Sequence, residues 1–355
     1  MDKNKKIGFA VIGYGGMGSW HASTCADDFK DTAELIGIYD IKPERRAAAE
    51  AEGIHAFSSR EELLADDRID LVTVATPNDV HKEIAIAAMA AGKNVISEKP
   101  VALSQEELEE MIAASKKYGK LFTVHQNRRW DPDFKCVQKI LADNELGKVF
   151  RIESRVQDSR GIPGDWRNQK AHGGGMVLDW GIHLLDQALR IGEGRKLISV
   201  YAELTNVTNE ECDDGFRVTL IFEGDLSMYV EVTTSNFIEL PRWYILGENG
   251  SAVINDWDLN GEIVKVSDWE NRDAVPILAG VGLTKTMAPR TDDTIKHYPL
   301  PKVDSSWTQF YENVFAALRG EEEQLITHDQ QRRLLKLVDA IFESGNENKV
   351  VFFDK

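Results

Sequence analysis

Short, almost wholly apolar runs alternate with helical patterns along the first 125 or so residues. Strands are expected at 7–12, 33–39, 69–75, 94–97 and 121–124. Between them the spacing predicts helices at about 17–28, 43–52, 80–92 and 104–118. The last opens at Ser104, with Glu107 three residues on, a capping-box signature. Continuous apolar strands separated by helices imply a parallel sheet covered on both faces, a doubly wound α/β domain.

From about residue 148 the pattern changes. Strands at 148–157, 197–205, 215–222 and 226–234 are longer and alternate apolar with polar residues. Two more, at 242–247 and 251–255, flank Asn249-Gly250, a hairpin signal. Helices are expected at about 174–191, 305–319 and 328–344. This predicts an α+β domain with a large open, mainly antiparallel sheet. The segment 268–300 has weak periodicity and is expected to be a long loop or an interface arm. The domain division is expected at 1–125 and 126–355, with the last helices closing against one domain or the other.

Composition narrows the classes. A chain of 355 residues suits two domains. No apolar run approaches the roughly 20 residues of a membrane helix. The charged start Met1-Asp2-Lys3-Asn4-Lys5-Lys6 leads straight into a strand, so no signal peptide is expected and the cytoplasm is the expected location. Three scattered cysteines (Cys25, Cys136, Cys212) fit a reducing compartment and no metal centre is expected. A net charge of -17 disfavours nucleic acid and anionic membranes as partners.

After the first strand comes Gly13-Tyr14-Gly15-Gly16-Met17-Gly18, a GxGxxG. The first glycine permits a tight turn, the second lets the backbone approach a pyrophosphate, and the third packs helix on strand. The helix N-terminus then supplies N–H groups to the phosphates. Alone the motif is a weak signal, equally a ligand-free turn; its place between strand and helix gives it weight. Asp40 ends the second strand, 22 residues after Gly18. A carboxylate there suits ribose hydroxyls and repels a 2′-phosphate, which predicts NAD over NADP. Lys42, Arg45 and Arg46 oppose that preference unless they form a solvated helix face. Candidate cofactor contacts are Gly13, Tyr14, Gly15, Gly16 and Met17, then Asp40, Ile41 and Arg45. Ligands bind beyond the carboxyl ends of such strands. That rule adds Thr76, Pro77, Asn78 and His81 after the third strand and Glu98 and Lys99 after the fourth, each of which also admits an ordinary loop role.

Lys99 follows a buried strand, where its charge has to be paired or aimed at a ligand. Beside a nicotinamide it could polarise a substrate oxygen. In the second domain, Gly173-Gly174-Gly175 precedes Asp179 and His183, which are i,i+4 on an expected helix, with Asp186 close to that face. A histidine there can take a hydroxyl proton as hydride leaves. The same pair also reads as a structural Asp–His contact, a metal half-site or a core histidine.

The three motifs together, in order and spacing, resemble the Gfo/Idh/MocA family of sugar and inositol dehydrogenases along nearly the whole chain. The resemblance implies a Rossmann domain followed by a sheet domain used for homodimer or homotetramer contacts. It implies a catalytic set of Lys99, Asp179 and His183, with His183 as general acid/base. It places Asp165-Trp166-Arg167 near the nicotinamide and lets His125-Gln126-Asn127-Arg128-Arg129-Trp130-Asp131 line the site. Sugar recognition needs planar hydrogen-bonding groups and a flat apolar face, which Asn127, Arg128, Trp130 and Asp131 offer. Trp130 reads equally as domain-junction packing. Arg155 and Gln157, on one face of their strand, and His172 are further candidate substrate contacts. The expected reaction is NAD-dependent oxidation of a secondary alcohol in a hexose, inositol or glycoside, including C3 of a glucoside. Two other classes stay open: NAD-assisted glycoside cleavage and a non-catalytic NAD-binding sensor.

Overall fold

A computed structural model describes residues 5–271 and 274–354. The charged start at 1–4 and two residues of the expected arm, 272 and 273, lie outside the described residues. Five parallel strands form the first sheet: β1 (Ile7–Ile12), β2 (Ala33–Tyr39), β3 (Leu71–Val74), β4 (Asn94–Ser97) and β5 (Phe122–Val124). Their order is β2-β1-β3-β4-β5. The order reverses between β1 and β3, which opens a crevice at their carboxyl ends. Helices α1 (Gly16–Asp27), α2 (Pro43–Ala51), α3 (Arg60–Ala65), α4 (His81–Ala90) and α5 (Gln105–Tyr118) cover the sheet. Their ends follow local chemistry. Pro43 begins α2. The Ser104 side chain accepts from Glu107 N, and Gly119 closes α5 in the left-handed conformation. The Glu107 carboxylate returns to Leu103 N, one residue before the position a standard capping box uses.

Helix α6 (Pro132–Ala142) leads into the second sheet, where the sequence pattern had not shown a helix. Nine strands follow the order β15-β12-β11-β10-β6-β9-β8-β7-β16. They are β6 (Val149–Gln157), β7 (Leu197–Thr205), β8 (Gly215–Phe222), β9 (Leu226–Thr233), β10 (Trp243–Gly247), β11 (Gly250–Ile254), β12 (Gly261–Val266), β15 (Ile295–Pro299) and β16 (Val351–Phe352). Within this sheet, among the described residues, only β6 and β9 pair in parallel. A separate hairpin, β13 (Ile277–Ala279) with β14 (Gly282–Thr284), occupies the segment of weak periodicity. That segment also yields β15, which joins the large sheet.

Alternation decides the faces. Leu226, Met228, Val230 and Val232 of β9 are buried, while the residues between them are partly exposed. Helices α6, α7 (Ile182–Ile191) and α9 (His328–Glu347) pack on the buried face. Helix α8 (Thr308–Arg319) instead joins the core of the first sheet through Phe310, Tyr311, Val314 and Phe315. Helix α9 contributes to both cores, with Leu335 in one and Leu334, Leu337 and Ile341 in the other. Among the described residues no helix is long and apolar enough to cross a membrane.

The helix expected at 174–191 is shorter and begins differently. Gly173 and Gly175 have φ of 71° and 106°, so the glycines form a turn, not a first helical turn. A π-helical turn, Val177–Gly181, follows before α7 proper. The Asp213 carboxylate accepts from Val177 N at 2.8 Å and caps this start. A Cβ on Gly175 would meet Asp213 Oδ1 at 2.2 Å, so the cap requires glycine there.

Candidate active site

The glycine turn has the shape its spacing implies. Gly13 has φ of 95°, and a Cβ on it would strike Ala75 O. A Cβ on Gly18 would meet Gly13 O at 1.8 Å. Gly15 and Gly16 differ: a Cβ on either would meet nothing within 4 Å. The turn thus leaves open space at the two residues that start α1, and no side chain caps that helix start. Bare N–H groups facing an open cradle fit a pyrophosphate. Tyr14 is engaged within the protein. Its side chain is buried and donates to Glu52 at 2.7 Å, while its N–H goes to Asp40.

Asp40 holds the turn through both oxygens: Oδ2 accepts from Tyr14 N at 2.7 Å and Oδ1 from Lys42 N at 2.8 Å. Arg46 folds back onto the carbonyls of Asp40 and Ile41. Ile41, at 80% exposure, and Met17, at 40%, are uncovered apolar side chains beside the crevice. Arg45 is exposed on α2.

The loops after β3 and β4 are tied together rather than free. His81, fully buried, lies 2.9 Å from both Thr76 O and Pro100 O. It therefore braces the loop containing Thr76 and Pro77 against the Lys99–Pro100 peptide, which is cis. Asn78 is also buried and donates to Gly173 O at 3.0 Å, and His172 Nδ1 lies 3.0 Å from Asp79. These contacts join the first sheet's loops to the glycine turn ahead of α7. They give His81, Asn78 and His172 bracing contacts within the protein.

Glu98 is likewise turned inward. Its Oε1 accepts from His21 and from His125, each at 2.8 Å, and its Oε2 from Lys99 N at 3.1 Å. Tyr311 of α8 hydrogen-bonds to the far nitrogen of His21. Burial opposes ionisation of Glu98, but the interactions with His125 and His21 outweigh it and hold its pKa well below the usual carboxylate range. The ligand atoms of His21, Glu98 and His125 lie within 4.8 Å of one another, a spacing a metal could use. They are at hydrogen-bond distance, and that network accounts for their placement. His21 and Tyr311 escaped the sequence reading. A histidine three residues past the glycine motif, on the buried face of α1, was the available signal for the first.

Lys99 does face the domain junction. Its Nζ donates to Asp179 Oδ1 at 3.0 Å and to Asp179 O at 3.1 Å. Arg167 approaches the same carboxylate at 3.5 Å and lies over Trp166. Burial raises the pKa of Asp179, but the charges of Lys99 and Arg167 prevail and lower it. Asp179 is thus a clamp for two cations and makes no hydrogen bond to His183. The two residues are separated by the end of the π turn, Val177–Gly181, so they do not sit on one regular α-helix. His183 is 6% exposed and its Nδ1 has no partner. Burial, then the charges of Lys99 and Arg128, push its pKa well below 6.5, so the imidazole is neutral.

The turn after β5 divides its residues. Arg129 is buried in a pair with Asp186 at 2.6 Å. Trp130 is in the first core against Phe310, the packing alternative for it. Asn127 remains partly exposed at the strand end. Arg128 pairs with Asp131 at 2.9 Å and lies over Trp180, 4.1 Å from its ring centre. Arg155 and Gln157 do share a face, but it is the open one: Arg155 pairs with Glu153 and Glu231, and Gln157 accepts from Leu240 N. The opposite, inward positions of β6 are Ile152 and Ser154.

Residues 7–126 match the family described as "Oxidoreductase family, NAD-binding Rossmann fold", and residues 134–253 match the "GFO/IDH/MocA C-terminal domain". A solved NAD-binding protein from Listeria innocua is 44% identical, with a TM-score of 0.94 over 98% of this chain and 99% of its own. The scyllo-inositol 2-dehydrogenase (NADP(+)) IolW of Bacillus subtilis is 26% identical over 98% of this chain and 96% of its length. A D-glucoside 3-dehydrogenase of Escherichia coli is 30% identical over 51% of this chain and 53% of its length. With both family domains present in order and a full-length structural match, the chain belongs to the GFO/IDH/MocA family of NAD-binding oxidoreductases.

Proposed function

We propose that the protein oxidises a secondary alcohol of a sugar-like ring, with Lys99 and His183 acting on the reacting hydroxyl. One observation carries this reading. Lys99, from the first sheet, is held by Asp179 of the second domain beside a buried, neutral His183. The Gly15–Gly16 cradle would hold NAD, which would supply hydride acceptance when bound. Lys99 donates to the hydroxyl oxygen and stabilises the charge it gains as its proton leaves. His183 receives that proton. Its Nδ1 is enclosed, so Nε2 is the nitrogen offered to substrate. Asp179 fixes Lys99 and balances its charge.

NAD over NADP follows from Asp40, a carboxylate at the end of β2 that would repel a 2′-phosphate, and from Arg46, which is spent on carbonyls. Three buried free cysteines suit the cytoplasm. Copies of the chain associate through the open sheet face, where Tyr229 and Tyr244 surround the Arg155 ion pairs. The test is NADH formation with a panel of hexoses, inositols and glycosides, with product NMR locating the oxidised carbon. A ketone at one ring carbon is expected; no reduction of NAD by any polyol contradicts the reading.

A further inference from the structure

Trp257 is an aromatic side chain that the core does not need. It sits on the turn between β11 and β12 and is 48% exposed. Large apolar side chains displayed singly are common, but this one is displayed on a fixed mount. Asp256 accepts from Asp258 N, Asn260 N and Asn260 Nδ2 at 3.0, 3.1 and 2.7 Å, and Asn255 N closes the turn onto Asn260 O. Leu259 is held at φ 61°, a conformation a leucine adopts only when its surroundings impose it. Arg242 lies over the Trp257 ring, 4.9 Å from its centre. That guanidinium is itself buried and bonded to Ser154 and Gln187 and paired with Asp133. The tryptophan is therefore pre-ordered, which removes much of the entropy a ligand would otherwise have to overcome.

Its position is as informative as its rigidity. The Trp180 ring stands 6.2 Å from the His183 ring, and Trp257 stands 5.9 Å from Trp180. Arg128 bridges both tryptophans, 4.1 Å from one ring centre and 5.6 Å from the other. Gln187, one turn past His183 on α7, receives Arg242 and donates to Arg128 O, so the whole wall is bound to the helix that carries His183. Each ring-to-ring step is comparable to the length of one pyranose unit. A ring reacting at His183 would thus have its neighbour over Trp180 and Trp257.

We propose that Trp257, with Trp180 and Arg128, forms a second sugar-binding subsite, so that the substrate is a two-ring glycoside rather than a free monosaccharide or inositol. The proposal rests on the dehydrogenase reading above for the position of the reacting ring. Pyranose rings present flat C–H faces to indole and hydroxyl oxygens to a guanidinium, the two surfaces the wall supplies.

Two measurements test it. The first is the ratio of kcat/KM for a disaccharide to that for its free monosaccharide, with NAD. The wild-type ratio is expected at roughly 10 or more, to fall about tenfold in Trp257→Ala through KM, and to recover largely in Trp257→Phe. A ratio near unity in the wild type, or one that Trp257→Ala leaves unchanged, overturns the proposal. The second is disaccharide binding to the NAD-loaded protein by ligand-observed NMR, which needs no turnover. Contacts from the second ring that vanish in Trp257→Ala uphold the subsite even where no sugar is oxidised, in which case only the dehydrogenase reading fails. Absence of second-ring contacts in the wild type overturns the subsite itself.

Discussion

Lys99 Nζ is held by both the carboxylate and the main-chain carbonyl of Asp179, at 3.0 and 3.1 Å. The residues come from different domains, so this contact sets a cation at the junction and fixes the π turn that precedes His183. Asp179→Asn keeps the shape but removes the charge that positions Lys99. Turnover is expected to fall on the order of 100-fold, the scale of a misplaced reacting group, with NAD affinity changed by no more than a few-fold. NADH formation and NAD titration check the two halves.

The neutrality of His183 predicts a pH profile. Burial and the charges of Lys99 and Arg128 lower its pKa. The acid limb of kcat/KM, which reports the free enzyme, is therefore expected below the ordinary histidine value of about 6.5. Removing a neighbouring positive charge favours the protonated imidazole. Arg128→Ala should thus move the acid limb to higher pH. A profile displaced downward or not at all would dissociate Arg128 from His183.

Asp213 makes stability depend on pH. Burial raises its carboxyl from 3.8 to about 7. Between those values the folded state holds a proton that the unfolded chain releases. This contribution is greatest below pH 3.8, is lost as pH rises, and is gone above about 7. Asp213→Asn retains an acceptor for Val177 N without the charge. Wild type is expected to lose stability relative to the variant between pH 5 and 8, by on the order of a few kcal/mol. Urea unfolding at the two pH values measures it.

The glycine turn separates fold from ligand. Gly15 has φ -83°, and a Cβ there meets only open space. Gly15→Ala should fold normally and bind NAD at least roughly tenfold more weakly, because its methyl enters the phosphate cradle. Gly18→Ala places a Cβ 1.8 Å from Gly13 O and is expected to lower the melting temperature as well. Calorimetric NAD titration beside thermal melts distinguishes them.

Much of the fold was legible because burial is periodic. Mostly apolar β1 and β3 announced a covered parallel sheet, and alternation in β9 announced an open one. The glycine spacing and Lys99 at a strand end located the crevice. What sequence could not show was direction. Arg155 and Gln157 shared a face, but which face depended on where α7 packed. Glu98, His81 and Asn78 stood at strand ends, and the sequence did not show the groups they bind: His21 and His125, the Thr76 and Pro100 carbonyls, and the Gly173 carbonyl. The π turn was hidden because Asp179 and His183 fit ordinary helical spacing. The two-residue edge strand β16, which follows α9, and the distant Trp257 came into view only through tertiary contacts.

The most direct test of the central claim is a double-mutant cycle on Lys99 and His183. NAD reduction by the best sugar substrate is followed in Lys99→Met, His183→Ala and the double variant. Groups acting on one hydroxyl are strongly non-additive. Each single variant is expected to lose roughly 100-fold or more, and the double variant little beyond the worse single. Losses that multiply, or a His183→Ala variant with wild-type turnover, would contradict the account.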